Sequence, residues 1–352
     1  MLLYLHIPFC DSKCHYCSFN SYVEKFHLKN SYMNALHLQL KNNLERFKIS
    51  PHSIETLFIG GGTPSTIDPE LYMPIFETIK PYLKADAEIT SEANPNSATR
   101  SWLQGMHSLG LNRISFGVQS FNNDKLKLLG RSHSSKDALL AIEEASRIGF
   151  KHISLDLIYA TANDSVSLLK NDLNTAFSLP IDHLSAYALT IEEGTVFQRT
   201  PEVAREKLEL TEWFLNSIKE RGFNQYEISN FGTYQSRHNL GYWQYKPYLG
   251  IGAGAVGSIN NVREYPHRDI EAYIADPTFV KKERLTSQEI KNERIFLGLR
   301  SIVGVNTELL NSQEYERAIL LIEENKLTCK KNGILYNNDY LLSDEIAMFI
   351  ED

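Results

Sequence analysis

Short apolar runs alternate with amphipathic stretches along the first half of the chain. Residues 2–7, 54–59, 88–95, 113–120, 152–159 and 183–190 form runs rich in apolar and β-prone residues, several broken by Pro or Gly. Such runs predict strands. Between them, 23–46, 71–83, 99–109, 135–148 and 166–177 mix apolar with charged positions at helical spacing, and Gly110 and Gly149 stand in helix C-cap positions. Six strands separated by helices predict consecutive βα units and therefore a parallel sheet. The alternation alone leaves two outcomes, an open sheet or a barrel, and both place function at the C-terminal ends of the strands. Polar residues gather there: Gly60-Gly61-Gly62-Thr63 after the second strand, Glu92 late in the third and Gln119 late in the fourth.

The pattern then changes. A helix is predicted over 202–221, followed by an aromatic and amide-rich stretch at 226–248 and a glycine–alanine run at 250–255. Helices at 288–299 and 312–324, a hairpin at 327–330 and 334–336, and a helix from Ser343 suggest a small α+β appendage. The expected division is a first domain at 1–260 and a second at 280–352.

Composition narrows the classes. The chain has 352 residues, 42% hydrophobic and 22% charged, which suits a globular protein. No apolar run approaches the ~18 residues of a membrane span, so no transmembrane segment is expected. A cysteine motif starting at position 10 leaves no room for a cleavable signal peptide. The net charge of -7 disfavours nonspecific nucleic-acid binding, and no nucleic-acid partner is expected.

Three of the four cysteines, Cys10, Cys14 and Cys17, fall within eight residues, in Cys10-Asp11-Ser12-Lys13-Cys14-His15-Tyr16-Cys17. The loop follows a predicted strand, and these spacings favour a metal or cluster over a disulfide. Clustered thiols of this kind indicate a reducing compartment, hence a cytoplasmic protein. Three thiolates on a [4Fe-4S] cluster leave one iron open, whereas a structural zinc ion would need a fourth ligand such as His6 or His15. The glycine run exposes main chain to a ligand or simply makes a tight turn. Glu92 would hydrogen-bond a ribose diol or an ammonium, and alone would be an ordinary solvated carboxylate.

The CxxxCxxC spacing, with an aromatic before the last cysteine, resembles the radical S-adenosylmethionine (SAM) superfamily. Further stretches sharpen the likeness. These are Tyr4-Leu5-His6-Ile7-Pro8-Phe9-Cys10, the Gly60-Gly61-Gly62-Thr63-Pro64-Ser65 run, Asn112-Arg113-Ile114-Ser115-Phe116-Gly117-Val118-Gln119-Ser120-Phe121, Leu129-Gly130-Arg131-Ser132-His133 and Ser154-Leu155-Asp156-Leu157-Ile158-Tyr159. Together they resemble the oxygen-independent coproporphyrinogen III oxidase-like family over nearly the whole first domain. The resemblance implies an α/β fold with a partial (β/α)6 radical SAM barrel; the helices followed by a two-stranded wing predict a small winged-helix-like domain after it, with a packing appendage as the alternative. The resemblance also implies a [4Fe-4S] cluster on Cys10, Cys14 and Cys17, and SAM held by Tyr4, Gly61, Gly62, Thr63, Glu92, Gln119, Arg131 and Asp156. Arg131 and Asp156 have an internal ion pair as their alternative.

Two subgroups of that family differ in class. The oxidases decarboxylate two propionates; the HemW group are heme-binding proteins that hand heme to acceptor proteins. Phe19 stands where the oxidases carry a fourth cysteine, and nine residues precede Cys10 where they have a longer extension. His238-Asn239-Leu240-Gly241-Tyr242-Trp243 fits the HNxxYW motif of the heme-binding group. The resemblance therefore implies a heme chaperone with heme as ligand and an acceptor protein as partner; the oxidase is the runner-up. A neutral imidazole at His238 would ligate iron, with Tyr242 and Trp243 against the porphyrin face. Arg237 or Lys246 would pair propionates. The alternative is that His238 hydrogen-bonds within a loop while the aromatics pack, and His267, Tyr248 and Cys329 are further iron-ligand candidates. The chain departs from the family at Ala160-Thr161-Ala162-Asn163-Asp164, where a Gly-Leu-Pro-Gly-type turn is common, and at Val256, where a histidine is common.

Overall fold

The fold is taken from a computed structural model, which describes residues 1–351. Six parallel strands carry it: β1 (Leu2–Ile7), β2 (Ile54–Gly61), β3 (Leu83–Ala93), β4 (Arg113–Gln119), β5 (His152–Tyr159) and β6 (His183–Ala188). They pair in sequence order, β1 with β2 through to β5 with β6. Helices α1 (Lys29–Arg46), α2 (Pro69–Ile79), α3 (Arg100–Leu109), α4 (Asn123–Leu128), α5 (Ser135–Ile148) and α6 (Val166–Ala176) lie between them. Local chemistry sets their ends. Thr99 caps α3 and Ser134 with Asp137 forms a capping box on α5, while Gly110 and Gly149 close those helices in the left-handed conformation.

The strands alternate between two environments. Leu3, Leu5, Leu57, Ile59, Ile114 and Phe116 are fully buried against the helical layer. The opposite face holds Tyr4, Thr56, Glu88, Glu92, Arg113 and Asp156, so the lumen is polar. The barrel is open. β6 never reaches β1; instead β8 (Asn230–Gly232) pairs antiparallel with β6, and β7 (Asn224–Gln225) pairs with β8. At the other edge, β9 (Tyr248–Ile251) adds parallel to β1 and continues through β10 (Gly257–Ile259), β11 (Val262–Tyr265) and β12 (Lys281–Arg284) to a twelve-stranded sheet.

Several expected boundaries move for identifiable reasons. The helix expected from 23 begins at Lys29, because Tyr22 first runs back beside β1, bonding Pro8 and Cys10 through its main chain. The helix expected to reach 83 ends at Ile79, since Pro81 lies in a 3-10 turn and β3 starts directly after it. The helix expected from 202 is α7 (Leu208–Glu220); its predicted first turns instead bond the loop after β5, Ala162 to Val203 and Arg205 to Ala160. Helix α4, strands β7 to β12 and helix α9 (Ile270–Ala275) were not expected.

Helix α8 (Arg237–Trp243) packs against β2 and closes the end of the barrel where the strands begin. Beyond it, α10 (Ser287–Leu299), α11 (Ser312–Glu323) and α12 (Ser343–Glu351) surround a separate apolar cluster including Ile295, Leu299, Leu321 and Leu335. A three-stranded antiparallel sheet completes it: β13 (Val305–Asn306), β14 (Leu327–Cys329) and β15 (Ile334–Asn337), with β15 central. The expected hairpin is β14–β15, and β13 is an additional strand. No helix is long and apolar enough to cross a membrane among the described residues.

Candidate functional site

A cavity of about 520 Å3 opens at the C-terminal ends of the barrel strands. Cys10, Cys14 and Cys17 line it together with Gly61, Gly62, Thr63, Glu92, Gln119, Arg131 and Asp156. Residues far apart in the chain therefore meet around one space. Tyr4 does not line it. Its hydroxyl lies 3.0 Å from His6 Nδ1, and its ring stacks on Phe58 deeper in the lumen.

The cysteine loop is held by main chain. Cys10 N–H donates to Tyr22 O, Cys17 N–H to Cys14 O, and His15 N–H to Leu129 O. All four cysteines are free. Burial raises the Cys10 and Cys17 thiols above their ordinary range, partly offset at Cys10 by the Thr63 hydroxyl, which lies 3.5 Å from its sulfur. Arg131 Nη1 lies 3.2 Å from Cys14 Sγ, a cation placed against the sulfur. Neither histidine that would complete a zinc site lines the cavity. His6 uses both ring nitrogens, toward Tyr4 and Asn20 O, and His15 Nδ1 lies 2.9 Å from Leu128 O. Among the described residues, no three His, Cys, Asp or Glu side chains form a ready single-ion group.

The glycine run makes a cradle that a side chain would fill. A Cβ on Gly62 would sit 2.8 Å from Phe9 O and 3.0 Å from Cys10 Sγ. Gly61 has φ of 113°, and a Cβ there would meet the His6 ring at 2.4 Å. Its N–H donates to Glu92 Oε2 at 3.1 Å.

Two carboxyls face the cavity without a full set of partners. Burial, then the nearby Asp156 charge, pushes Glu92 up to about 7, against the Gly61 N–H. Burial likewise pushes Asp156 up to about 6, against the Ser185 and Ser115 hydroxyls and the Arg113 and Arg131 charges. The Arg131–Asp156 ion pair does not form. Arg131 Nη2 instead donates to Asn94 Oδ1 at 2.7 Å and Gly117 O at 2.6 Å, and its buried Nε has no partner. Gln119 adopts φ of 69° next to an irregularity in the β4–β5 register, which turns its side chain at the strand end. Such a site suits a cationic or hydroxyl-rich ligand beside three cysteine sulfurs. Asn94, Tyr16 and Tyr187 also line it and had no distinguishing sequence signal beyond their places at strand or motif ends.

His238, Tyr242 and Trp243 lie at the opposite end. His238 is 1% exposed, with Nδ1 2.7 Å from Thr56 Oγ1, Nε2 3.1 Å from the Tyr242 hydroxyl, and its ring on Phe58. Burial and the Arg113 charge push it down to about 3, so it is a neutral, fully engaged imidazole. Tyr242 and the half-buried Trp243 follow on α8. Arg237 bonds Asp86, and Lys246 pairs Glu55 at 2.6 Å. His267 stacks on Phe279, and Cys329 is exposed on β14. The departures from the expected turns are accommodated. Ala160 takes φ of 62°, and the loop is tied down by the buried Lys125–Asp164 pair at 2.6 Å.

The radical SAM superfamily matches residues 4–169. The chain is 35% identical over 333 residues to the heme chaperone HemW of Bacillus subtilis (strain 168), covering 90% of this chain and 87% of that one. It is 38% identical over 265 residues to the heme chaperone HemW of Escherichia coli (strain K12), covering 73% and 70%. Among solved structures it resembles the radical SAM enzyme coproporphyrinogen III oxidase (HemN) from Escherichia coli, with a TM-score of 0.82 at 19% identity over 99% of this chain and 89% of that one. At that identity the last likeness concerns the fold.

Proposed function

The chain belongs to the HemW family of radical SAM proteins, and from that premise we propose that it is a cytoplasmic heme chaperone that binds heme and passes it to acceptor proteins. The observation that carries the reading is similarity to heme chaperones across nine-tenths of the chain, with the thiols, glycine cradle and carboxyls expected of this family around one cavity. In this proposal Cys10, Cys14 and Cys17 hold a [4Fe-4S] cluster, and Gly61, Gly62, Thr63, Glu92, Gln119, Arg131 and Asp156 hold SAM, with Tyr4 supporting from the lumen through His6. The donor set fits: three thiols edge a cavity rather than meeting at a single-ion point. A cluster with one open iron supplies a place to chelate SAM and an electron.

The chain's own residues prepare that site. Arg131 sets a cation against the Cys14 sulfur, and the Thr63 hydroxyl favours the Cys10 thiolate against burial. Metal binding is proton-releasing here, because buried thiols must ionise to ligate. Glu92 and Asp156 would gain a cationic partner on ligand binding and ionise fully. Phe19, 67% exposed at the cavity mouth, is an apolar group where the oxidases have a fourth cysteine. The HNxxYW helix α8 contributes Tyr242 and Trp243, with His238 behind them.

The test uses the cluster-reconstituted chain under anaerobic conditions. Hemin is titrated in and transfer to an apo-hemoprotein is followed by absorbance; a parallel reaction contains SAM, reductant and coproporphyrinogen III. Stoichiometric heme uptake and transfer without decarboxylation is the expected result. Turnover to protoporphyrinogen IX, or no heme uptake, overturns the proposal.

A further inference from the structure

A second cleft, of about 840 Å3, opens between the barrel and α10 at the end where the strands begin. Its volume lies in the range of cofactor sites. The barrel side supplies Tyr242, Tyr245, Lys246 and Tyr248; α10 supplies Phe296, Leu297 and Arg294. The walls combine these aromatic and apolar side chains with charged groups, Arg263, Lys291 and Glu293 among them, and Phe296 is 42% exposed.

Polar groups differ sharply in how far they are used. Lys246 pairs Glu55, Arg263 pairs Glu293, and Lys291 pairs Glu314. Arg294 makes no ion pair among the described residues and lies over the Tyr245 ring at 5.4 Å. The Tyr242 hydroxyl is turned inward to His238, 3.1 Å away. The Tyr248 ring packs edge-on against Tyr242, with centroids 4.8 Å apart. Its hydroxyl bonds no other described residue; burial raises it above the ordinary tyrosine range, with the Arg263 charge acting against that shift and the Glu293 charge adding to it. Of the four candidates for an iron ligand, His238, His267, Tyr248 and Cys329, only Tyr248 lines this cleft.

We propose that this cleft seats the heme, with the Tyr248 oxygen ligating ferric iron and Arg294 pairing a propionate. The inference rests on the heme-carrier reading and names the site for it. On binding, the Tyr248 O–H bond breaks and its proton goes to solvent. The oxygen forms the O–Fe bond as iron-bound water leaves; iron stays ferric, so no oxidant or reductant is consumed. Tyrosine is an established axial ligand for heme iron.

The experiment titrates hemin into the cluster-loaded full chain and records visible absorption and resonance Raman spectra. The wild type should show phenolate vibrations enhanced through a tyrosinate-to-iron band. Tyr248→Phe should lose them and bind at least ~10-fold more weakly, with iron–sulfur content and melting temperature unchanged; Tyr242→Phe should retain the signature. Arg294→Glu should weaken hemin ~5-fold or more and leave hemin dimethyl ester, which lacks the propionate charges, unaffected. An unchanged spectrum and affinity in Tyr248→Phe, or a wild-type spectrum of histidine or thiolate ligation, overturns the ligand assignment while leaving heme carriage intact. Equal effects of Arg294→Glu on both porphyrins overturn the propionate contact. A wild type that takes up no hemin removes the carrier reading itself.

Discussion

Glu88 and Glu92 stand four residues apart on the same face of β3, yet they serve opposite ends of the barrel. At the closed end Glu88 accepts three hydrogen bonds: from the Tyr234 hydroxyl at 2.7 Å and from the Arg237 and His238 N–H groups at 2.9 and 3.0 Å. Those last two are free donors at the start of α8, so the carboxylate caps the helix that plugs the barrel. At the open end Glu92 receives one hydrogen bond from Gly61 and faces Asp156 across a cavity. The histidines of the closed end follow Glu88: His183 and His238 are neutral and bonded on both nitrogens, in a lumen they share with Arg113. Polar groups that satisfy one another build structure; polar groups held short of partners are prepared for a ligand.

The largest break in that contrast comes from the open end. Cys14→Ser should abolish the cluster, read as loss of its brown absorbance and of four-iron stoichiometry after reconstitution. A full complement of iron in that variant would sink the cluster assignment. Next in size, Glu88→Ala should destabilise the fold by about 3 kcal/mol, because α8 loses its cap and buried donors lose their acceptor. Glu92→Gln on the same strand should instead raise the melting temperature of the cluster-free protein at pH 8, by about 2–4 °C. Destabilisation of equal size at both positions would erase the distinction between the ends.

The pH dependence sharpens it further. Glu92 and Asp156 are raised from ordinary values of 4.5 and 3.8 to about 7 and about 6. Between those limits the folded state binds more protons than the unfolded state. Their contribution is fully present in acid, below about 4, and is lost as pH rises through 6 to 7. Thermal melts of the cluster-free protein should show this decline, flattened in the Glu92→Gln, Asp156→Asn double variant. SAM affinity should move the other way, rising through the same window as the carboxylates ionise. The smallest expected effect is at Gln119, whose positive φ costs about 1 kcal/mol. Gln119→Gly should gain roughly that stability and weaken SAM binding; a loss of stability would show that its side chain packs rather than waits.

Much of the barrel was readable because each strand is a short apolar run with a stop. Strands 152–159 and helix 135–148 coincide with β5 and α5, where Gly149, the Ser134 cap and strand composition all agree. The elements that escaped notice, β7 to β12, are short strands whose pairing lies in the rest of the sheet. Val262–Tyr265 and Lys281–Arg284 have no apolar run to announce them, and each exists because a neighbour offers an unpaired edge. The cysteine spacing announced the open end directly, since three sulfurs in eight residues are chemistry carried in local sequence.

By its order of residues alone, the chain determined the βα alternation, the thiol loop and the strand ends on which Glu92 and Gln119 fall, because these depend on local spacing and period. Tertiary structure decided which polar residues are already satisfied. Nothing in the HNxxYW stretch says that His238 spends both nitrogens on Thr56 and Tyr242, or that Tyr248 is left facing a cleft. Hydrogen-bond satisfaction is a property of groups brought together from distant positions, and only folding makes those pairs.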